Sequence, residues 1–212
     1  MEEQPIKYSI ILTYYRESVE DELTLCRCLY SLKDAVMHRK DVEILVIHDG
    51  PVELSIHTDI LPNCMFYKTT VRENVWGHNS RNYGLKIAKG KFIFHGNFDN
   101  IYYPDFLNVL DKEIEEDVGL YIFSCRMRGW GCDMYGTRVA GKTIHRRTDT
   151  WKLFNPKEVK LGTIDCMQVA TRKELWKDGW SDYSIDSDGK YYESFAKITK
   201  TKNVNCCIGE HY

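Results

Sequence analysis

In the stretch KFIFHGNFDNIYYP, residues 91–104, an apolar run gives way to a glycine, two amides, one carboxylate and a proline. Hard divalent cations such as Mg2+ and Mn2+ take oxygen ligands, and proteins commonly hold them with one or two carboxylates completed by a substrate's phosphates. Asp99, flanked by the amide oxygens of Asn97 and Asn100, fits a metal completed by a diphosphate. Without that ligand it is too weak a cage. The competing reading is an Asp that only shapes a turn or a helix entry.

Two further polar clusters invite the same question. Asp49 stands in Asp49-Gly50-Pro51. It is either a turn residue or a carboxylate that accepts hydrogen bonds from a base N–H or a sugar hydroxyl, as acids at strand ends do in nucleotide folds. Asn79-Ser80-Arg81-Asn82 reads as the start of an amphipathic helix. Arg81 is poorly placed there for the helix dipole, which favours acids in the first turn, so it calls for a separate partner.

The elements that must position these residues alternate. Tyr8–Tyr14 reads as a buried strand, 18–38 as a helix with apolar spacing through Leu23, Cys26, Leu29, Leu32 and Val36, and Val42–His48 as a second strand. Strands over Cys64–Thr69, Lys91–His95 and Gly119–Cys125 follow, with helices over 79–89 and from Pro104 to about Asp117. Such βαβα alternation predicts an α/β fold with a mostly parallel central sheet and helices on both faces. Ligands in these sheets lie beyond the carboxyl ends of the strands. Thr13-Tyr14-Tyr15-Arg16, Asp49-Gly50 and Asn97-Phe98-Asp99 all fall at such ends, so three strand ends are expected to meet at one cleft.

Composition narrows the class. The 212 residues are enough for one well-buried domain and show no repeat or linker. Twenty-nine basic against 31 acidic side chains leave a charge of −2, so no overall field attracts nucleic acid or anionic lipid. The acidic start MEEQ is unlike a secretory signal, and no segment has the roughly 18 apolar residues of a membrane span. Eight cysteines without a C-x-x-C pair read as reduced core thiols of a cytoplasmic protein. The segment 126–150 is rich in Gly, aromatic and basic residues. Trp130 and Tyr135 offer a sugar-stacking platform there, and Arg138, Lys142, His145, Arg146 and Arg147 are either phosphate contacts or a solvated basic loop.

The series ILTYYR, VIHDG, GHNSRNYGLKIAKGKFIFHGNFDN and ATRKELWKDGWSDYSIDSDGKYYESF resembles the GT-A glycosyltransferases of the family-2 type. The likeness covers nearly the whole chain and is most specific over 77–104. The chain also looks like the N-terminal glycosyltransferase domain of a large chlorella-virus protein, which implies a fragment with further domains after it and a place in the host cytoplasm. The family resemblance implies a GT-A fold, a nucleotide-sugar donor of the UDP type, a glycan or glycoprotein acceptor, Mn2+ or Mg2+, and inversion at the anomeric carbon. It further implies that Thr13, Tyr15, Arg16, Asn97 and Phe98 lie at the donor, that Asp49 pairs with uracil, and that Arg81 lies near the base and diphosphate. Asp99 matches the metal ligand, His211 a late metal-binding His, and Asp188 the general base.

Relatives carry an acid before the last Asp of the metal motif, whereas this chain has Asn97 and Phe98. A cation is therefore expected to depend more on the donor's phosphates. Asp188, in Asp186-Ser187-Asp188-Gly189, is otherwise a helix-capping surface residue, and His211 otherwise an ordinary terminal His. A sugar nucleotidyltransferase needs a glycine-rich phosphate loop after the first strand, which TYYRESVEDE lacks. A non-catalytic nucleotide- or glycan-binding module would keep Asp49 and Arg81 but have no use for Asp188.

Overall fold

The computed structural model describes residues 4–51, 60–61, 63–128, 137–139, 142–144, 151–182, 184 and 187–211. Its elements are β1 (Tyr8–Tyr14), α1 (Val19–Val36), β2 (Val42–His48), β3 (Cys64–Lys68), α2 (His78–Ile87), β4 (Phe92–Asn97), β5 (Ile101–Tyr102), α3 (Phe106–Glu113) and β6 (Val118–Arg128). These are followed by β7 (Thr137–Val139), β8 (Lys142–Ile144), β9 (Trp151–Phe154), β10 (Val169–Arg172), α4 (Ser187–Ala196) and β11 (Lys200–His211).

The main sheet runs β3-β2-β1-β4-β10-β6-β11-β5, with β9 added beside β6. Its first four strands are parallel, joined through α1 and α2, as the βαβ pattern requires. Beyond β4 the sheet becomes mixed, because β10 runs antiparallel to both of its neighbours and β5 antiparallel to β11. The sheet is continuously parallel from β3 to β4, the half that the alternation described, and parallel pairing recurs beyond it between β6 and β11.

Both faces are covered. Tyr8, Ile10, Leu12 and Tyr14 pack on one side against Leu25, Leu29 and Leu32 of α1 and Phe106, Leu107 and Leu110 of α3. Ile11, Leu45 and Ile93 pack on the other against Leu85 of α2, Trp176, Trp180 and Tyr192 and Phe195 of α4. Neighbours along β1 thus point to opposite faces, the period of a strand buried on both sides. Gly84 lets α2 settle on β1, since a Cβ there would lie 2.5 Å from the Ile11 methyl.

Helix ends follow local chemistry. Ser18 and Asp21 form a reciprocal capping box at the start of α1. α3 starts after Asp105 and stops at Glu113, short of the expected Asp117, where the Glu115 N–H bonds the Tyr121 hydroxyl at 2.9 Å instead of continuing the helix. Asp188 lies in the first turn of α4 rather than in a turn ahead of it.

Candidate active site

Register brings the strand ends level. Tyr14 pairs with His48 across β1 and β2, and Thr13 with Asn97 across β1 and β4. Beyond them opens a cavity of about 440 Å³ whose lining includes Thr13, Tyr15, Asp49, Trp76, Asn97 and Asp99. The ends of β1, β2 and β4 therefore do meet at one cleft.

Asp49 does two things there. Its carboxylate oxygens accept from the Glu73 and Asn74 N–H groups at 3.1 and 3.0 Å, so it braces the 73–74 backbone at the edge of the cavity. It keeps lone pairs for a ligand, because each carboxylate oxygen has two. Tyr15 is 43% exposed, with the Arg72 guanidinium 5.5 Å over its ring. Phe98 lines the cavity but sits edge-on to Tyr14 and Tyr15, each at 5.2 Å, as part of an aromatic cluster.

Arg81 differs from its expected position at the base and diphosphate. It is 3% exposed, stands outside the cavity lining and points into the protein. Its Nη1 donates to the Trp76 carbonyl at 3.0 Å and to His78 Nδ1 at 3.1 Å, and its Nη2 to Asn97 Oδ1 at 2.9 Å and Cys166 Sγ at 3.5 Å. Arginine only donates, so His78 Nδ1 must accept and its proton sits on Nε2, facing the Ser187 hydroxyl at 2.9 Å. This buried network explains why a cation stands where the helix dipole disfavours it. Arg16 is likewise turned away from the cavity lining and pairs with Glu22 at 2.8 Å.

The two amides are also committed internally. Asn97 Oδ1 accepts from Arg81 and from the Thr13 hydroxyl at 3.0 Å, and Asn100 Oδ1 accepts the Asn97 N–H at 2.7 Å. The amide oxygens expected to help Asp99 hold a cation instead shape the loop that presents it.

Other donors gather nearby. Asp165, ahead of the 3-10 turn Cys166–Gln168, accepts the Met167 N–H at 2.9 Å, and its own N–H is held by Gln168 Oε1 at 3.1 Å. Its second oxygen faces His211 Nδ1 at 3.3 Å. Despite burial, the Asp165 carboxylate raises the His211 pKa to about 9, and the fields of Asp99 and Asp188 add to this. Asp188 Oδ2 accepts the Cys166 N–H at 3.1 Å, and one ligand atom from each of Asp165, Cys166 and Asp188 lies within 4.8 Å of the others. Burial holds the Cys166 thiol well above its usual pKa, so it stays protonated and is no match for a hard cation. Burial and the Asp165 charge raise Asp188 while Arg81 opposes them, giving a carboxylate more basic than usual. The carboxylate oxygens of Asp99, Asp165 and Asp188 are donors of the kind Mn2+ or Mg2+ takes, whereas His211, raised to about 9 beside Asp165, would have to give up its proton before it could join them.

Asp165 was not foreseen. Its only local signal is the Asp-x-x-Gln spacing of a reciprocal cap, and its nearness to Asp188 and His211 arises from tertiary packing. Trp130, Tyr135, His145, Arg146, Arg147 and Asp186 lie outside the described residues, as do the side chains of Arg138 and Lys142.

A mixed α/β sheet with helices on both faces and a cleft at the ends of its parallel strands is the arrangement of the GT-A fold. Residues 9–177 match glycosyl transferase family 2, and the chain belongs to that family. It is 34% identical over 92 residues to an uncharacterized glycosyltransferase of Rickettsia typhi, a match that covers 39% of this chain and 27% of that protein. Among solved structures it resembles S. aureus TarS 1-349 at a TM-score of 0.69 and 15% identity, covering 97% of this chain and 60% of that one. The same TarS fragment in complex with UDP-GlcNAc superposes at 0.68, with 16% identity and coverage of 97% and 58%. The mannosyltransferase PcManGT from Pyrobaculum calidifontis, in complex with GDP-Man and Mn2+, superposes at 0.64, with 13% identity and coverage of 98% and 59%. The chain thus spans about three-fifths of these structures and about a quarter of the Rickettsia protein.

Proposed function

We propose that this chain transfers a hexose or deoxyhexose, glucose- or rhamnose-like, from a UDP-sugar to a hydroxyl of a glycan or glycoprotein, with inversion and with Mn2+ or Mg2+. The observation that carries the reading is the cavity at the level ends of β1, β2 and β4, with Asp49 and Asp99 both in its lining. Asp188 is tied to its wall through Cys166, Arg81 and Asn97.

Asp49 and Tyr15 take the uracil and ribose, with Thr13 beside them. Asp99 and, once it gives up its proton, His211 would hold the cation, which when bound would neutralise charge on the departing diphosphate. Asp188 takes the proton of the acceptor hydroxyl as its oxygen forms a bond to the anomeric carbon. The bond from that carbon to the diphosphate oxygen breaks on the opposite side, and UDP leaves with the electron pair. A general base of this kind contributes roughly 10²- to 10⁴-fold. The TarS complex with UDP-GlcNAc supports a UDP donor, and the Mn2+ of the mannosyltransferase complex supports the cation. The resemblance to a chlorella-virus domain supports action in a host cytoplasm with further domains downstream.

Calorimetry with UDP, in Mn2+ and in EDTA, tests the reading together with release of UDP from UDP-sugars. UDP is expected to bind more tightly with Mn2+, and Asp99→Ala to remove the difference. Equal affinity in both buffers, with no UDP released from any UDP-sugar, discards it.

A further inference from the structure

We propose that Trp76 is a stacking platform for the donor's nucleobase and thereby a determinant of donor affinity, an inference that rests on the UDP-donor reading above. Trp76 lines the cavity yet is 62% exposed. An indole left in water next to a cleft is a surface with something still to cover it, since aromatic rings contribute through the area they bury.

The backbone that displays it is unusual. Asn74 and Trp76 have φ of +49° and +54°, the only non-glycine residues with positive φ among the described ones, and Gly77 follows at +76°. For a bulky side chain the left-handed region is disfavoured and persists only where the surroundings impose it. Four contacts impose it here. Asp49 holds the Glu73 and Asn74 N–H groups, and Arg81 holds the Trp76 carbonyl. Gly77 lies so close to Thr13 that a Cβ would come within 2.9 Å of the Thr13 hydroxyl oxygen.

The residues that pin the segment are those that line or frame the donor cavity: Thr13 from β1, Asp49 after β2, and Arg81, which also fixes Asn97. The backbone that carries the ring is held by Asp49, the residue assigned to the uracil edge. A flat base held by its edge at Asp49 needs a face to lie on, and the indole in the cavity lining supplies one. Base–aromatic stacking accepts any base, so the ring sets affinity while Asp49 chooses the base.

The test titrates UDP and UDP-GlcNAc, with Mn2+, into the unmutated protein, Trp76→Phe and Trp76→Ala, by calorimetry and by tryptophan fluorescence. Because Trp76 is exposed, both variants are expected to keep the melting temperature. UDP is expected to quench fluorescence in the unmutated protein more than in Trp76→Phe, which keeps affinity within a few-fold. Trp76→Ala is expected to bind UDP about 10-fold more weakly or worse, within the roughly 5- to 150-fold that stacking supplies. Unchanged UDP affinity in Trp76→Ala overturns the proposal. So does a loss confined to UDP-GlcNAc, which places the ring against the sugar. No UDP binding by the unmutated protein has a different signature: the donor reading itself falls, and this inference with it.

Discussion

Arg81 Nη2 donates to Asn97 Oδ1 at 2.9 Å, and the contact lies inside the protein rather than in the cavity. One guanidinium therefore joins α2, the end of β4, the Trp76 segment and the Cys166 turn. With its ring-like plane 5.3 Å from Trp180, it is packed as well as bonded. Lysine cannot reproduce that fork of donors.

Arg81→Lys is accordingly expected to act first on stability. Losing hydrogen bonds of a buried charged group costs about 1.5–3 kcal/mol, which in a domain of this size lowers the melting temperature by about 3–12 °C. UDP affinity then falls secondarily, as Asn97 and the Trp76 carbonyl lose their tether. Thermal melts beside UDP calorimetry decide the matter. An unaltered melting temperature with a large loss of UDP affinity returns Arg81 to direct donor contact.

Asp49 makes a prediction about base choice. Its carboxylate accepts, and uracil offers an N3–H to it, whereas cytosine has an acceptor at N3. UDP is expected to compete better than CDP by about 10-fold or more, because the wrong base leaves a buried acid facing an acceptor. Asp49→Asn supplies an amide that can donate to cytosine, so the preference should narrow. The variant also loses one of the acceptors that brace Glu73 and Asn74. Competition binding with UDP, CDP and GDP measures this, and equal competition by all three contradicts the pairing with Asp49.

How much of this was legible beforehand varies with the kind of signal. β1, β2 and β4 declare themselves by apolar runs that end in turn residues, and the rule for parallel sheets then locates the cleft. Asp49, Asp99 and Thr13 follow from those strand ends alone. β10 and β11 do not declare themselves, since Val169–Arg172 is four residues long and Lys200–His211 mixes polar and apolar positions without a bounding turn. Asp165 and its pairing with His211 depend on how those two strands return to the sheet, so no local pattern could place them. The inward turn of Arg81 was signalled only negatively, by a cation at the wrong end of a helix.

The Asp165–His211 pair sets an expectation for pH. His211 is raised from 6.5 to about 9 in the folded chain, so the folded state holds a proton that the unfolded state releases between those values. Stability from this pair is fully present below pH 6.5 and is lost as pH rises through about 9. Asp165 is lowered chiefly by His211, against the effect of burial, so its own contribution is present above the ordinary Asp range and is lost as pH falls. Melting temperatures from pH 6 to 9.5 for the unmutated protein and His211→Gln should therefore converge toward alkaline pH. Parallel curves show that the pair does not form in solution.

Asp188 separates a transferase from a binding module. Its Oδ2 accepts the Cys166 N–H at 3.1 Å, and an asparagine oxygen can do the same, so Asp188→Asn should leave the fold intact. The amide cannot take a proton from the acceptor hydroxyl, so transfer should fall by roughly 10²- to 10⁴-fold. UDP affinity should change little, because the base acts on the acceptor and not on the nucleotide. A residue that only caps α4 predicts the opposite, since asparagine is also tolerated at helix starts and activity would hardly move. Transfer assays and UDP calorimetry on the same preparation give both numbers. If the variant keeps more than about a tenth of the unmutated rate, well outside the general-base range, proton transfer belongs to another group, and Asp165, with an oxygen within 4.8 Å of the Asp188 carboxylate, is a candidate among the described residues.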